Sequence, residues 1–385
     1  MRYKISTAYY YGLSFLLIVL MYPFFIWPHL RPALLASSTT FILLVFLVSK
    51  ISEARFFLFI YVFFSIFTYR HLQGASISGA TLLALTTASL ILLNKDQLLS
   101  LFKVFVRLYA FLLLPGIVIW ALHVLTGDFS IFKIGELTGS NVLDMNKANN
   151  GNHYSIFPFS TRIEPIYTPG FYRFQGFLDE PGLLGTFSAL ILTANQFSLK
   201  KNHQKIILVS GLISFSFAFY VLSAIYFILN LTSKSNYSNK VRTIFFLGSL
   251  IALIYYFIPD VLYDTIVRRF TLVDGSIAGD NRATDSLNKA FLHWLSAPSL
   301  HEFLFGIEYT SDGSASWKQI PVNAGAIGTI LLFSVYFFYT LSFHFSTLNN
   351  YQFITFILTF VASIYQRPGI DGVIYFFIFL AGMAL

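Results

Sequence analysis

Apolar stretches long enough to cross a membrane dominate this sequence. A membrane-spanning helix needs about 20 mostly apolar residues. Hydrophobic residues make up 56% of the 385 residues and charged residues only 11%, whereas soluble proteins have roughly 45–50% and about 25%. The number of charged side chains is too small to cover the surface of a soluble protein of this size. We therefore predict a single domain, 1–385, that folds as an all-α, polytopic integral membrane helical bundle. The predicted spans are 9–27, 33–48, 56–69, 77–93, 108–125, 183–197, 206–231, 244–258, 324–343, 353–365 and 373–385.

The distribution of Lys and Arg predicts the orientation of the chain. Cytoplasmic loops are enriched in these residues. If the N-terminus is cytoplasmic and 206–231 crosses twice, the inner loops hold 13 Lys and Arg but only two acidic residues. Both long loops, about 126–182 and 259–322, are then periplasmic, and the chain crosses about 12 times. The net charge of +8 therefore indicates orientation in a bilayer rather than nucleic-acid binding. The first stretch lacks a small-residue cleavage site, so we expect a retained span and not a signal peptide.

The stretch 206–231 decides this topology. It has 26 residues, with Ser214 and Ser216 in its middle, and a basic cluster follows it. Two short half-helices that meet near the outer face would keep that cluster inside, whereas one long tilted helix would place it outside. A break at that depth also indicates a cavity, because non-helical backbone there must be covered by protein or water. We favour two half-helices.

Charged candidates for a functional site gather in the loops predicted to be periplasmic. No predicted span carries Asp or Glu in its middle, which disfavours an ion-coupled pump. The planar guanidinium of arginine binds phosphate through two parallel hydrogen bonds, so several arginines on one face predict a site for an anionic lipid head group or diphosphate. Simpler explanations exist for part of the set, namely helix capping for Glu180 and ordinary head-group contact for Arg268 and Arg269. The candidates are Arg173, Gly176, Asp179, Glu180, Arg268, Arg269, Arg282, His301 and Arg367.

Other chemistries find little support in the sequence. There is no cysteine, so disulfides and thiolate metal sites are excluded. His293 and His301 are eight residues apart without a second acidic cluster at ligand spacing. Neither a Walker-type phosphate loop nor a serine-nucleophile elbow occurs. The sequence therefore predicts no metal site and no cofactor.

The candidate segments resemble a known group of membrane proteins. Residues 173–182, Arg-Phe-Gln-Gly-Phe-Leu-Asp-Glu-Pro-Gly, are similar to the Arg-x-x-Gly…Glu-Pro element of the O-antigen polymerases and the related O-antigen ligases. The ligase branch normally has a functional histidine late in the second outer loop, and 311–323 contains none, which favours the polymerase branch. The later motifs follow in a similar order: Asn281-Arg282, an apolar helix to Pro298, Leu304-Phe-Gly306, Asn323, Gly325 and Gly328, and finally Gln366-Arg367-Pro368.

The resemblance implies an integral inner-membrane glycosyltransferase with a GT-C-like helical architecture and a metal-independent site on the periplasmic side. The donor would be the growing glycan on undecaprenyl diphosphate, and the acceptor one repeat unit on the same carrier, within lipopolysaccharide biosynthesis. Membrane lipid, a chain-length regulator and a flippase are the implied partners, with no nucleic acid.

Within that reaction the candidates can be given roles. A departing diphosphate develops negative charge that positioned arginines stabilise, and we expect Arg173 and Arg282 to do so. The attacking hydroxyl needs a proton acceptor, for which Glu180 or Asp179 is the candidate catalytic base. Contacts to the substrate are expected from Arg367, Arg268, Arg269, Gly176 and His301, and His301 is a further candidate for the base.

Two other functions remain open from the sequence. An O-antigen ligase would transfer the finished polymer, so its loss would strand polymer on the lipid carrier. A lipid-linked glycan flippase or exporter would leave repeat units on the cytoplasmic side when it is removed. A polymerase would instead leave single repeat units displayed outside.

Overall fold

The protein is mainly helical, as predicted. Three helices of the described chain are long and apolar enough to cross a membrane, and shorter apolar helices accompany them. The number of crossings remains a prediction. The predicted span 244–258, the basic cluster after 231, and Arg268, Arg269 and Arg282 lie outside the described residues. The computed structural model describes residues 7–49, 51–127, 133–134, 152–156, 159–165, 172–232, 248, 272–273, 276–277, 283–307, 316–344 and 351–385.

The helices follow the predicted apolar stretches closely in most of the described chain. Short 3₁₀ helices at Phe24–His29 and Leu90–Leu92 supplement them. The α-helices are α1 (Thr7–Val19), α2 (Leu30–Val48), α3 (Glu53–Leu72), α4 (Ile77–Ser89), α5 (Lys95–Thr126), α6 (Pro181–Ala194), α7 (Asn202–Ile213), α8 (Phe217–Thr232), α9 (Asp285–Ser296), α10 (Leu300–Phe305), α11 (Gln319–His344), α12 (Tyr351–Gln366) and α13 (Val373–Ala384).

The start of α5 corrects the predicted span 108–125. The helix begins 13 residues earlier, because the Asn94 side chain accepts a hydrogen bond from the Gln97 backbone N–H at 2.9 Å. The Gln97 side chain in turn accepts one from the Asn94 N–H at 2.9 Å, which completes a capping box. Lys103 and Arg107, two of the 13 basic residues predicted to lie in the inner loops, therefore lie within the helix.

The predicted break within 206–231 is confirmed. α7 ends at Ile213 and α8 begins at Phe217, and Phe215 between them has a positive φ of 45°. A Cβ on Gly185, near the start of α6, would meet Ser216, so α8 starts beside the start of α6. Phe197, just after α6, stacks on Tyr226 of α8 with 4.7 Å between ring centroids. The helices α6 and α8 therefore run in the same direction, and α7 returns between them.

A four-stranded antiparallel sheet lies in the first long loop, which is a correction to the all-α prediction. Phe174 and Thr161 of this sheet pack against Gly116 of α5, where an added Cβ would lie 3.0 and 3.1 Å from them. The Trp120 Nε1–H donates to the Tyr172 carbonyl at 2.9 Å, which also fixes the sheet to α5. The strands, in sheet order, are β1 (Lys133–Ile134), β2 (Asn152–Ile156), β3 (Phe159–Pro165) and β4 (Tyr172–Gly176). In a separate two-stranded sheet, β5 (Leu272–Val273) pairs with β6 (Ser276–Ile277).

The bundle surrounds an entirely apolar last helix. Every residue of α13 except Gly382 is buried, as expected for a helix that is hydrophobic on all sides. At one end, which we call the sheet end, the Phe24 N–H donates to the Phe177 carbonyl at 3.1 Å. At the opposite end, Gln97 at the start of α5 donates to the Val48 carbonyl at the end of α2, at 3.2 Å.

Candidate functional site

Two adjoining cavities open at the sheet end. The larger, about 570 Å³, is mostly apolar, and we call it the apolar chamber. The smaller, about 370 Å³, is lined mainly by polar side chains, and we call it the polar chamber. Both volumes suit a small-molecule site, which commonly occupies about 300–1,000 Å³. The residues that line both chambers are Arg70, Ala75, Gln319, Pro368 and Gly369.

An ion pair between Glu180 and Arg367 joins two predicted site residues that are 187 positions apart. The Nη2 atom of Arg367 contacts the Oε2 atom of Glu180. Glu180 immediately precedes α6, but its side chain makes no capping hydrogen bond, so capping does not explain it. Arg367 immediately follows α12, and its backbone N–H donates to the Ser363 carbonyl at 2.9 Å. Among the predicted candidates that the structure describes, Arg367 alone lines the apolar chamber.

A second ion pair, between Arg70 and Asp371, was not predicted. Arg70 lies in the last turn of α3, and Asp371 lies in the loop between α12 and α13. The Asp371 side chain is 4% exposed and the Arg70 side chain 33% exposed. Arg70 lines both chambers and Asp371 the polar one. The sequence held a signal for this pair, because both charges fall in segments predicted to lie on the same face.

Arg173 lies in β4, beside the turn between α7 and α8. Its Nε–H donates to the Ser214 carbonyl at 3.3 Å, so this guanidinium covers the polar break between the two half-helices. The structure does not bring Arg173 to either chamber. Neither chamber is therefore the cavity that the sequence predicted at the break between α7 and α8.

Gly176 and Asp179 lie in the segment that leads into α6. Gly176 has a positive φ of 61°, and a Cβ there would lie 2.6 Å from the Leu113 Cδ2. Both the backbone conformation and the close approach to α5 therefore require glycine. Asp179, the residue before Glu180, is partly buried.

His301 lies on a separate pair of short helices, α9 and α10. Its side chain is exposed, and its ring packs against Phe305 with 5.2 Å between centroids. At the start of α10, the backbone N–H of Ser299 donates to the Glu302 carboxylate at 2.7 Å and holds the pKa of that carboxyl below its ordinary value. His301 is not a lining residue of either chamber.

Two glycines of the predicted motifs, Gly306 and Gly325, allow close packing between α10 and α11. A Cβ on Gly306 would lie 2.6 Å from the Asn323 backbone, and one on Gly325 would meet the Leu304 backbone. The Ile307 N–H donates to the Val322 carbonyl at 2.6 Å, which ties the two segments together. This packing places Asn323 in the wall of the polar chamber.

The described chain has no group of three or more His, Cys, Asp or Glu side chains that could hold a metal ion. The sheet end thus presents guanidinium groups paired with carboxylates beside an apolar chamber, an arrangement suited to an anionic amphiphile.

Comparison with known proteins identifies no relative, since no protein-family model, curated protein or solved structure matches this chain.

Proposed function

We propose that this chain is an O-antigen polymerase, a membrane glycosyltransferase that extends a lipid-linked polysaccharide. It would transfer the growing glycan from undecaprenyl diphosphate onto an incoming lipid-linked repeat unit at the periplasmic face of the inner membrane. The observation that carries this proposal is the Glu180–Arg367 pair at the edge of an apolar chamber. It joins a candidate base to a candidate phosphate ligand beside a space that suits a lipid chain.

The pair fits the two chemical demands of this transfer. The acceptor hydroxyl forms a bond to the anomeric carbon of the donor, and the bond from that carbon to the diphosphate oxygen breaks with its electron pair. Arg367 would stabilise the charge on the departing diphosphate. Because Arg367 then binds phosphate instead of carboxylate, Glu180 would be released to accept the hydroxyl proton. The reaction needs no nucleotide, because the sugar is already activated by its lipid diphosphate.

The remaining candidates take secondary roles in this proposal. Arg173 would hold the turn between α7 and α8 through its bond to Ser214. Arg282, Arg268 and Arg269 would add further positive charge from the second loop. Asp179, next to Glu180, is the alternative base.

The proposal can be tested by the glycan that cells display. We expect Arg367→Ala and Glu180→Gln to abolish long-chain glycan while the protein still inserts in the membrane in normal amounts. Arg31→Ala is the matched control, because Arg31 is exposed at the start of α2 and lines neither chamber. Wild-type chain length in both site variants would contradict the roles of the pair.

The lipid-linked products of a deletion strain separate this function from its alternatives. A polymerase predicts single repeat units displayed on the outer side. Polymer stranded on its lipid carrier would show a ligase, and repeat units retained on the cytoplasmic side would show a flippase. Either of these results would overturn the proposal.

A further inference from the structure

We infer that Arg70 and the polar chamber bind the diphosphate and the first sugar of a lipid-linked glycan whose polyprenyl chain lies in the apolar chamber. The identity of this ligand rests on the proposed function. The position of the site, and its residues Arg70, Gln73 and Asn323, rest on the arrangement of the two chambers.

The apolar chamber has the lining that an isoprenoid chain requires. Aliphatic and aromatic side chains from the segment just after α1 and from α2, α4, α6 and α13 form most of its wall, and its volume of about 570 Å³ can take the first units of such a chain. Burial of apolar surface favours this contact in proportion to the area removed from water. Among its lining residues are Leu20, Met21, Leu34, Leu82, Leu83 and Phe187.

Arg70 lies in the wall that the two chambers share. Its partner Asp371 is almost fully buried and fixes the end of α3 to the loop before α13. A guanidinium at this boundary can bind a phosphate in its fork while it keeps a contact with the carboxylate, because it carries five N–H donors. Arg367 lines the apolar chamber as well, so two arginines from different elements border the same space.

The polar chamber offers amide groups of the kind that recognise sugar hydroxyls. Gln73, Gln319 and Asn323 line it. The Asn323 Oδ1 is buried and has no hydrogen-bond partner in the described part of the chain. A buried acceptor without a partner is costly, and a sugar hydroxyl would satisfy it. The Gln73 Nε2 donates to the Tyr69 hydroxyl at 2.7 Å, which holds this amide in the chamber wall.

The order of the chambers matches the order of groups in the ligand. A lipid-linked glycan runs from apolar chain to diphosphate to sugar. The structure runs from apolar chamber to Arg70 to polar chamber. This correspondence distinguishes the site from a simple anion site, which would need no apolar chamber, and from a simple lipid groove, which would need no amide side chains.

The test measures binding to the purified full chain in lipid nanodiscs. The probes are farnesyl diphosphate, inorganic pyrophosphate, and an undecaprenyl-diphosphate-linked repeat unit prepared in vitro. We expect Arg70→Gln to weaken farnesyl diphosphate binding about tenfold or more, because it removes a charge-assisted hydrogen bond. Since this variant leaves Asp371 unpaired, the double variant Arg70→Gln/Asp371→Asn removes both charges, and we expect it to fold normally and to show the same loss.

The variant Asn323→Ala distinguishes the binding of the sugar from the binding of the diphosphate. We expect unchanged affinity for farnesyl diphosphate and a loss of about fivefold in affinity for the repeat unit, as one hydrogen bond is removed. Arg31→Gln is the control and should leave all affinities unchanged, since Arg31 is exposed and lines neither chamber. Pyrophosphate should bind more weakly than farnesyl diphosphate, because it leaves the apolar chamber empty.

Three results would overturn the inference. One is wild-type affinity for farnesyl diphosphate in the folded double variant. Another is equal affinity for pyrophosphate and farnesyl diphosphate, which would show a site for free diphosphate. The third is an Asn323→Ala variant with wild-type affinity for the repeat unit. Failure of the proposed function looks different: binding would depend on Arg70 as expected, but the deletion strain would not accumulate single repeat units outside.

Discussion

Two carboxylates hold two arginines at the sheet end, and their different exposure gives them different energetic weight. The Asp371 side chain is 4% exposed, whereas the Glu180 side chain is 30% exposed. A charge left alone in a buried site cannot be solvated, while a partly exposed one can recruit water. Arg70–Asp371 should therefore matter for folding, and Arg367–Glu180 should be free to exchange with substrate.

This difference predicts unequal effects on stability. We expect Arg70→Leu to destabilise the protein by about 3–5 kcal/mol, because it leaves the Asp371 carboxylate buried without its partner. Arg367→Leu should lower the free energy of unfolding by about 1 kcal/mol or less, because the Glu180 carboxylate left behind is partly exposed to solvent. Thermal unfolding in detergent, followed by circular dichroism, measures both.

The double variant Arg70→Leu/Asp371→Leu is the control for that comparison. Removing both charges should restore most of the stability, since two apolar side chains of similar size can replace a buried pair at little cost. A double variant as unstable as Arg70→Leu alone would show that the ion pair is not the cause of the loss.

At the scale of elements, helix positions followed from the sequence more readily than the details at their ends. The break at Ser214 and Ser216 was predicted because two polar residues interrupt an apolar stretch of 26 residues and a basic cluster follows it. The start of α5 was missed because Asn94 and Gln97 cap it locally, and capping lies outside hydropathy. The sheet was missed because its strands have two to seven residues and lie within a loop.

For the candidate site, too, the sequence predicted part of the arrangement and the three-dimensional structure was needed for the rest. The sequence identified Glu180 and Arg367 from their residue types and predicted face, but their contact depends on how α6 and α12 pack. Arg70 was overlooked because it lies in the last turn of an apolar helix, where interfacial contact is the ordinary role of an arginine. Only the three-dimensional structure shows that it borders two cavities.

The packing of α10 on α11 gives a prediction at this scale. We expect Gly325→Ala to destabilise the protein by about 1–3 kcal/mol, because Gly325 has a φ of 61° and a Cβ would meet the Leu304 backbone. Gly12→Ala in α1 is the matched control, since nothing lies within 4 Å of its added Cβ. We expect this variant to be slightly more stable, because alanine favours a helix over glycine by about 1 kcal/mol. Unfolding temperatures in detergent measure the two. Equal stability of both variants would contradict close packing at Gly325.

At the scale of the whole molecule, helix directions relate the fold to the charge pattern. The ends of α3 and α12 and the start of α6 meet at the sheet end, where the two ion pairs lie. At the opposite end, Gln196 after α6 donates to the Gln352 side chain of α12 at 2.7 Å. The residues predicted to be periplasmic at these sites are therefore found at one end of the bundle. The compartment that this end faces stays a prediction from the charge pattern.

The absence of cysteine from the sequence allows this topology to be tested without background labelling. Ser78 and Gly369 are exposed near the chambers, whereas Lys95 and Lys200 are exposed near the other end. We expect a membrane-impermeant maleimide to label Ser78→Cys and Gly369→Cys in spheroplasts, because the bilayer separates the two ends. Lys95→Cys and Lys200→Cys should react only after permeabilisation, which also serves as the control for their reactivity. Labelling of both ends in intact spheroplasts would mean that the bundle does not cross the bilayer along its axis, and the site would then lose its periplasmic position.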